Sequence, residues 1–199
     1  MNRIYKHITL VFAITFCLNT ITFSQNILIN EVVSSNLYSY FDQNGDNSDW
    51  IELYNTTNSS IYLGNFYLSD DETDYIKWSL PDIYIPANSA IILYASGKGS
   101  EFDSYHTNFK LSSEGEPLIL SNQNGLPIDH ILIPKLKTDI SYGRITDGAT
   151  DWGYFDVSTP GTTNGSSLSY TCLLESPSVD KNSGSYSGNV DLFVSHADQ

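Results

Sequence analysis

Lysine and arginine are scarce: nine in 199 residues, against 23 aspartates and glutamates, for a formal net charge of −14. Gripping a phosphate backbone takes Lys and Arg to displace counterions, and an acidic field repels anionic surfaces. Nucleic acid and anionic membranes are therefore not expected as partners. Charged residues of both signs make up only 16%, too few for long, solvated helix faces, and no window offers an amphipathic helix. Cysteine is nearly absent, with only Cys17 and Cys172. What is plentiful is tyrosine, 14 of them, together with Ser, Thr and Asn. Polarity carried by hydroxyls and amides suits strands with one wet face.

The N-terminus reads as an export address. Arg3 and Lys6 precede an apolar stretch, Ile8 to Leu18, of signal-peptide length and too short to cross a bilayer. Thr22 and Ser24 are the small residues expected before cleavage at Gln25. Bulky Phe16 ahead of Cys17 argues against a lipoprotein box. Residues 1–24 are thus expected to be removed, with no membrane insertion afterwards and a secreted or cell-surface destination. Loss of Arg3 and Lys6 and of no acid leaves seven basic against 23 acidic residues, or −16. Cys172 is then the one remaining thiol, and no disulfide can form within the mature chain.

Short β-rich runs recur between turn residues: Ile27–Val33, Trp50–Tyr54, Ile61–Leu68, Tyr75–Trp78, Ala90–Ala95, Pro117–Leu120, Ile128–Ile133 and Ser141–Ile145. Asn-Gly at 44–45 and 124–125 and Asp-Gly at 147–148 punctuate them. This spacing predicts an all-β sandwich or barrel over residues 25–164, large enough at about 140 residues to bury a core without staples. Trp50 and Tyr54 share one strand face, opposite Ile51 and Leu53. Trp50 and Trp78 are expected in the core and Trp152, beside Asp151 and Gly153, at the surface, where it would suit a sugar platform. Residues 165–175 read as a Gly/Ser linker, and 176–199 as the incomplete start of a second β-module.

Few constellations carry chemistry. Asp42, Asn44, Asp46 and Asp49 form an oxygen-rich loop with the alternation that calcium favours. Gly45 precedes the third acid and Leu53 stands where an EF-hand has its glutamate, so the loop is not an EF-hand. The competing reading is a polar turn in which Asx side chains satisfy backbone amides. Calcium is the only cofactor the sequence suggests. Asp70, Asp71, Glu72 and Asp74 read as a turn. His106 and His130 lack metal-ligand spacing. Gly97-Lys98-Gly99-Ser100 lacks phosphate-loop spacing, and no nucleophile elbow is present. Asn55, Asn58 and Asn164 each begin an Asn-x-Ser/Thr acceptor sequence.

An ordered set of segments resembles the lamin tail domain, an immunoglobulin-like antiparallel β-sandwich. It runs through Ile29-Asn30-Glu31-Val32, Asp49-Trp50-Ile51-Glu52-Leu53-Tyr54-Asn55 and Leu63-Gly64-Asn65-Phe66-Tyr67-Leu68-Ser69-Asp70-Asp71. It continues with Trp78-Ser79-Leu80-Pro81, Ile85-Pro86, His106-Thr107-Asn108-Phe109-Lys110-Leu111-Ser112, Gly115-Glu116, Ser141-Tyr142-Gly143-Arg144 and Thr159-Pro160-Gly161-Thr162-Thr163-Asn164. The resemblance covers residues 27–164. It implies that Glu52, His106 and Arg144 are structural positions rather than an active site. It also implies an accessory domain of the kind found on exported bacterial proteins beside nucleases, phosphatases or spore-coat-type kinases. Residues 177–195, with Ser183-Gly184-Ser185-Tyr186, are similar to the start of a chitobiase/β-hexosaminidase C-terminal module. The function expected is thus a non-catalytic extracellular interaction, adhesion or spacer module that contacts a surface polymer or protein. The alternative is the N-terminal part of an exported enzyme whose catalyst lies beyond Gln199.

Overall fold

The computed structural model describes residues 26–173, and of the remainder 178–181, 184, 185, 187–191 and 193–195. The expected signal peptide lies outside the described residues, as do Ser183 and Tyr186. Strands follow in the order β1 (Ile27–Val33), β2 (Asp49–Asn55), β3 (Ile61–Tyr62), β4 (Phe66–Ser69), β5 (Trp78–Ser79), β6 (Tyr84–Ile85) and β7 (Ala90–Ala95). After them come β8 (Glu116–Asn122), β9 (Pro127–Ile133), β10 (Ser141–Arg144), β11 (Trp152–Phe155), β12 (Ser169–Tyr170), β13 (Ser178–Val179) and β14 (Val194–Ser195).

Two antiparallel sheets make the sandwich, one ordered β12-β11-β10-β1-β2-β7 and the other β5-β4-β8-β9. Alternation along the strands fixes the faces. Ile29, Val32, Ile51, Leu53 and Leu93 of the wide sheet meet Leu68, Leu118, Leu120, Ile131 and Ile133 of the narrow one in a single core. Each such side chain contributes about 1.5–3 kcal/mol when fully buried. Trp78 is part of that core as expected and donates its indole N–H to Ser100 Oγ at 2.9 Å.

Trp50 departs from expectation. It is fully buried but on the opposite, outer face, because Ile51 and Leu53 take the inward positions. There the 36–41 loop covers it, Tyr40 meeting its ring edge-on at 6.3 Å and Ser39 Oγ accepting its N–H at 3.2 Å. The wide sheet is therefore covered on both faces.

Two strand expectations are corrected. Ile61–Leu68 is broken by a 3-10 turn at Leu63–Asn65, where a Cβ on Gly64 would collide with the Asp82 carboxylate and the Tyr62 ring. Tyr75–Trp78 shrinks to β5, since the Tyr75 carbonyl accepts Ser121 Oγ instead of a ladder bond. Strands β6, β11 and β12 are additional. The last pairs Tyr170 with Tyr154 and Ser169 with Phe155, so the Gly/Ser stretch is pinned to the sheet at that point. Among the described residues, strands β13 and β14 pair only with each other.

A bulge in β1 shapes the outer face of the wide sheet. Ile29 pairs with Leu53 and Glu31 with Glu52, leaving Asn30 as the extra residue. A bulge of this kind re-aims side chains. Here it sets Glu31 beside Glu52 on the outer face.

Candidate functional site

The widely spaced motifs of the sequence converge beneath one segment, residues 158–166. Thr159 donates its N–H to Glu31 Oε1 and Oε2, both at 3.1 Å, and its hydroxyl to Oε2 at 2.8 Å. Ser141 Oγ adds a 2.5 Å bond to the same carboxylate. Gly161 N–H reaches Glu52 Oε2 at 2.8 Å, and Asn30 Nδ2 reaches Glu52 Oε1 at 2.8 Å. Asn164 is the plug: its Nδ2 donates to the Arg144 carbonyl at 2.7 Å and to the Asn30 carbonyl at 3.3 Å. A Cβ on Gly143 would lie 3.0 Å from Glu31 Cγ and 3.1 Å from Asn164 Nδ2, so the network needs glycine there.

Burial pushes the Glu52 carboxyl up to about 7, against the Asn30 and Gly161 donors that favour its charge, while Glu31 and Asp147 add to the rise. Burial also raises Glu31. Arg144 ties the two sheets together, bonding Asp129 Oδ2 at 2.9 Å and the Ile29 carbonyl at 2.8 Å. These groups have the chemistry of a catalyst, but each is closed off by protein partners and overlying chain.

The calcium candidates lie at the far end of β2, where Asp49 pairs with Ala95 of β7. Asp42 Oδ1 accepts N–H from Asn44 at 2.8 Å and Asp46 at 2.9 Å, which is an Asx turn. Asp46 pairs with Lys98, and that hydrogen bond and charge hold its carboxyl below the usual range. Asp49 Oδ1 accepts Asn36 N–H at 2.9 Å, while burial raises its carboxyl. Asn44 is exposed. The carboxylates are thus turned to protein donors. No group of three or more His, Cys, Asp or Glu side chains among the described residues is arranged to hold a metal ion.

Asp42 Oδ2 points the other way, to His106 Nε2 at 3.5 Å, with both side chains buried. That oxygen has no hydrogen-bond partner among the described residues. His106 Nδ1 meets Ser96 Oγ at 2.9 Å, and the ring sits against Tyr94 and Phe102. Burial lowers the His106 pKa, against the pull of Asp42 and Asp103. Asp–His–Ser in contact invites comparison with a hydrolase triad. Here, however, the Ser96 hydroxyl accepts the Lys98 N–H at 3.1 Å, and the chain ties the 42–46 loop to β7. Ser96 borders a cleft of about 370 Å³ lined also by Asp46, Asp49, Lys98 and Lys110.

The other candidates resolve simply. Asp70 pairs with Lys77 at 2.5 Å and Asp71 caps Thr73, as a turn requires. His130 is half exposed on β9, 3.8 Å from Glu72. Trp152 is half buried, stacked on Tyr142 at 5.0 Å with the Arg144 guanidinium 4.9 Å from its ring centroid, and so is not the open platform expected. Of the acceptor asparagines, Asn55 and Asn164 are fully buried and only Asn58 is exposed. The sequence did not single out Asp139. Its backbone has φ +60, and its Oδ1 accepts the N–H groups of Leu37, Tyr38 and Ser39 at 2.7, 2.8 and 3.2 Å. Burial works to raise that carboxyl, but the three amides prevail and hold it low. The sequence signal for it is slight, a lone Asp in a Lys-Thr-Asp loop.

No curated protein matches this chain. The lamin tail domain model matches residues 22–133, which spans β1 to β9 and more than half of the 199 residues. Strands β10 to β12 and the 158–166 segment lie beyond the matched stretch but complete the wide sheet and its cover. With its antiparallel sandwich and its catalyst-like groups closed off, the chain belongs to the lamin tail domain family, whose immunoglobulin-like domain is non-catalytic.

Proposed function

We propose that this domain works outside the cell as a non-catalytic contact, adhesion or spacer module of an exported multidomain protein. One observation carries the reading: Glu31, Glu52, Asp129, Arg144 and His106 are all buried and bonded within the fold. The export address at residues 1–24 supports the compartment. The separate pairing of β13 with β14 supports a second module after the linker, in keeping with the chitobiase-type resemblance of residues 177–195. Expression with the native leader tests the compartment, and the expected result is protein in the medium or on the surface with Gln25 as its first residue. Incubating the mature domain with surface glycans and envelope proteins tests the contact role. Retention of neither assigns it to spacing, and turnover of any ester, phosphodiester or glycoside by the domain itself would overturn the reading.

A further inference from the structure

The 36–41 loop has an unusual division of labour. Its polar groups are turned inward and satisfied. Asn36 Nδ2 donates to the Tyr40 and Ser48 carbonyls at 2.6 and 2.8 Å, and Asn36 Oδ1 accepts Ser39 N–H and Oγ. Asp139 gathers three consecutive amides, and Asn47 Nδ2 holds the Leu37 carbonyl at 3.1 Å. Three large side chains of the same loop face solvent: Leu37 is 44% exposed, Tyr38 74% and Phe41 47%. A backbone this constrained has no need of exposed apolar groups for its own stability. Rigid presentation of aromatic and aliphatic side chains lowers the entropy cost of a contact.

Beside the loop lies a depression of about 220 Å³ lined by Tyr38, Ser39, Asp139, Asp156, Val157 and Ser158. Val157 is 69% exposed. No lysine or arginine lines the depression, and Asp156 makes no ion pair among the described residues. The surface therefore sets two exposed apolar side chains, Tyr38 and Val157, beside two carboxylates, Asp139 and Asp156.

We propose that the 37–41 loop, with Asp156 and Val157, is a docking surface for an extended polypeptide segment that places a lysine or arginine beside an aliphatic or aromatic residue. The cation sits in the depression against Asp156, and its apolar neighbour packs on Tyr38 and Val157. This deepens the reading of the domain as a contact module and rests on it.

The test uses a fluorescein-labelled peptide of alternating arginine and leucine, with a glutamate–leucine peptide as control, titrated into the mature protein by anisotropy. Saturable binding of the basic peptide alone is expected. It should weaken about tenfold in a Tyr38→Ser/Val157→Ser variant, and roughly threefold in Asp156→Asn or on raising salt. These positions are exposed, so the variants should keep the wild-type melting temperature. Equal binding of both peptides, binding untouched by the variants, or preference for a neutral oligosaccharide would overturn the surface. A parallel arm compares retention of surface glycans and envelope proteins by the wild type and the double variant. Retention by both with no peptide binding sinks this surface and leaves the contact role standing, whereas retention by neither removes the contact role itself.

Discussion

The outer face of the wide sheet carries two buried polar clusters built on opposite plans. Under the 158–166 segment, Glu31 and Glu52 collect donors from Ser141, Thr159, Gly161 and Asn30, and Asn164 closes the gaps. At the β7 side, Asp42, His106 and Ser96 form a thin chain with one carboxylate oxygen left over. The first cluster holds two acids to the second's one, yet it is the more purely structural of the two. Saturated hydrogen bonding, not the density of acids, marks a polar cluster as part of the fold. Unsatisfied or outward-facing groups mark where other chemistry has room.

The comparison breaks most visibly at Asn164. Asn164→Ala takes the side-chain amide donor from the Arg144 and Asn30 carbonyls and opens a cavity. The expected cost is about 3–5 kcal/mol, a fall in melting temperature of roughly 10 °C for a domain this size. Urea unfolding followed by tryptophan fluorescence measures it, and a loss near zero would mean that the segment lies on the sheet without holding it.

Next in size is a pH effect particular to the carboxylate pair. A glutamate held near 7 when folded and near 4.5 when unfolded binds more protons in the folded state between those values. Its contribution is therefore fully present below about 4.5 and lost as pH rises to about 7, at most of order 3 kcal/mol. Glu31 acts in the same direction. His106, with its lowered pKa, acts oppositely below about 6.5. The difference between wild type and Glu52→Gln isolates Glu52, because the amide stays neutral throughout. Wild type should lose stability relative to Glu52→Gln from pH 4.5 to 7, and parallel profiles would show that Glu52 titrates as an ordinary carboxyl.

The core was legible in the sequence where alternation is strict. Ile51 and Leu53 point inward on β2 as their period of two requires, and the turns at 44–45 and 124–125 separate the strands they should. The buried network was legible only as scattered motifs. Asn30, Glu52, Gly143 and Asn164 are more than a hundred residues apart at the extremes, and they meet because a one-residue bulge turns Glu31 toward Glu52. Spacing along the chain carries no trace of that turn. The cover over Trp50 was hidden for a related reason. An alternating strand shows which residues share a face, but not that a loop returns to bury the second face. Likewise a Gly/Ser composition at 165–169 says nothing about the pairing that docks Ser169 and Tyr170 on Phe155 and Tyr154.

Asp42 gives the smaller contrast with Asn164. Its Oδ1 is spent on two amides, and its Oδ2 is buried without a donor beyond the distant His106 nitrogen. Asp42→Asn keeps the Asx turn through its carbonyl and offers Nδ2 to His106, whose ring can switch tautomer and donate from Nδ1 to Ser96. Stability should stay level or rise by up to about 1 kcal/mol. A loss above 2 kcal/mol would mean that the Asp42 charge is itself required, as it is when paired with a protonated His106.

The smallest expected effect concerns calcium at the same loop. To ligate an ion jointly, Asp46 would have to leave Lys98 and Asp49 would have to turn from Asn36, while Asp42 would have to bring out an oxygen now facing His106. Each move gives up a bond that the loop already has. An ion that bound with a dissociation constant one hundredth of its concentration would add about 2.7 kcal/mol, which a melting scan resolves easily. Scans of the mature domain with excess calcium and with chelator should therefore coincide, and Asp46→Asn should leave both unchanged in their coincidence. A calcium-dependent rise that Asp46→Asn abolishes would show that the loop opens to an ion, and that the Lys98 pairing is its resting state.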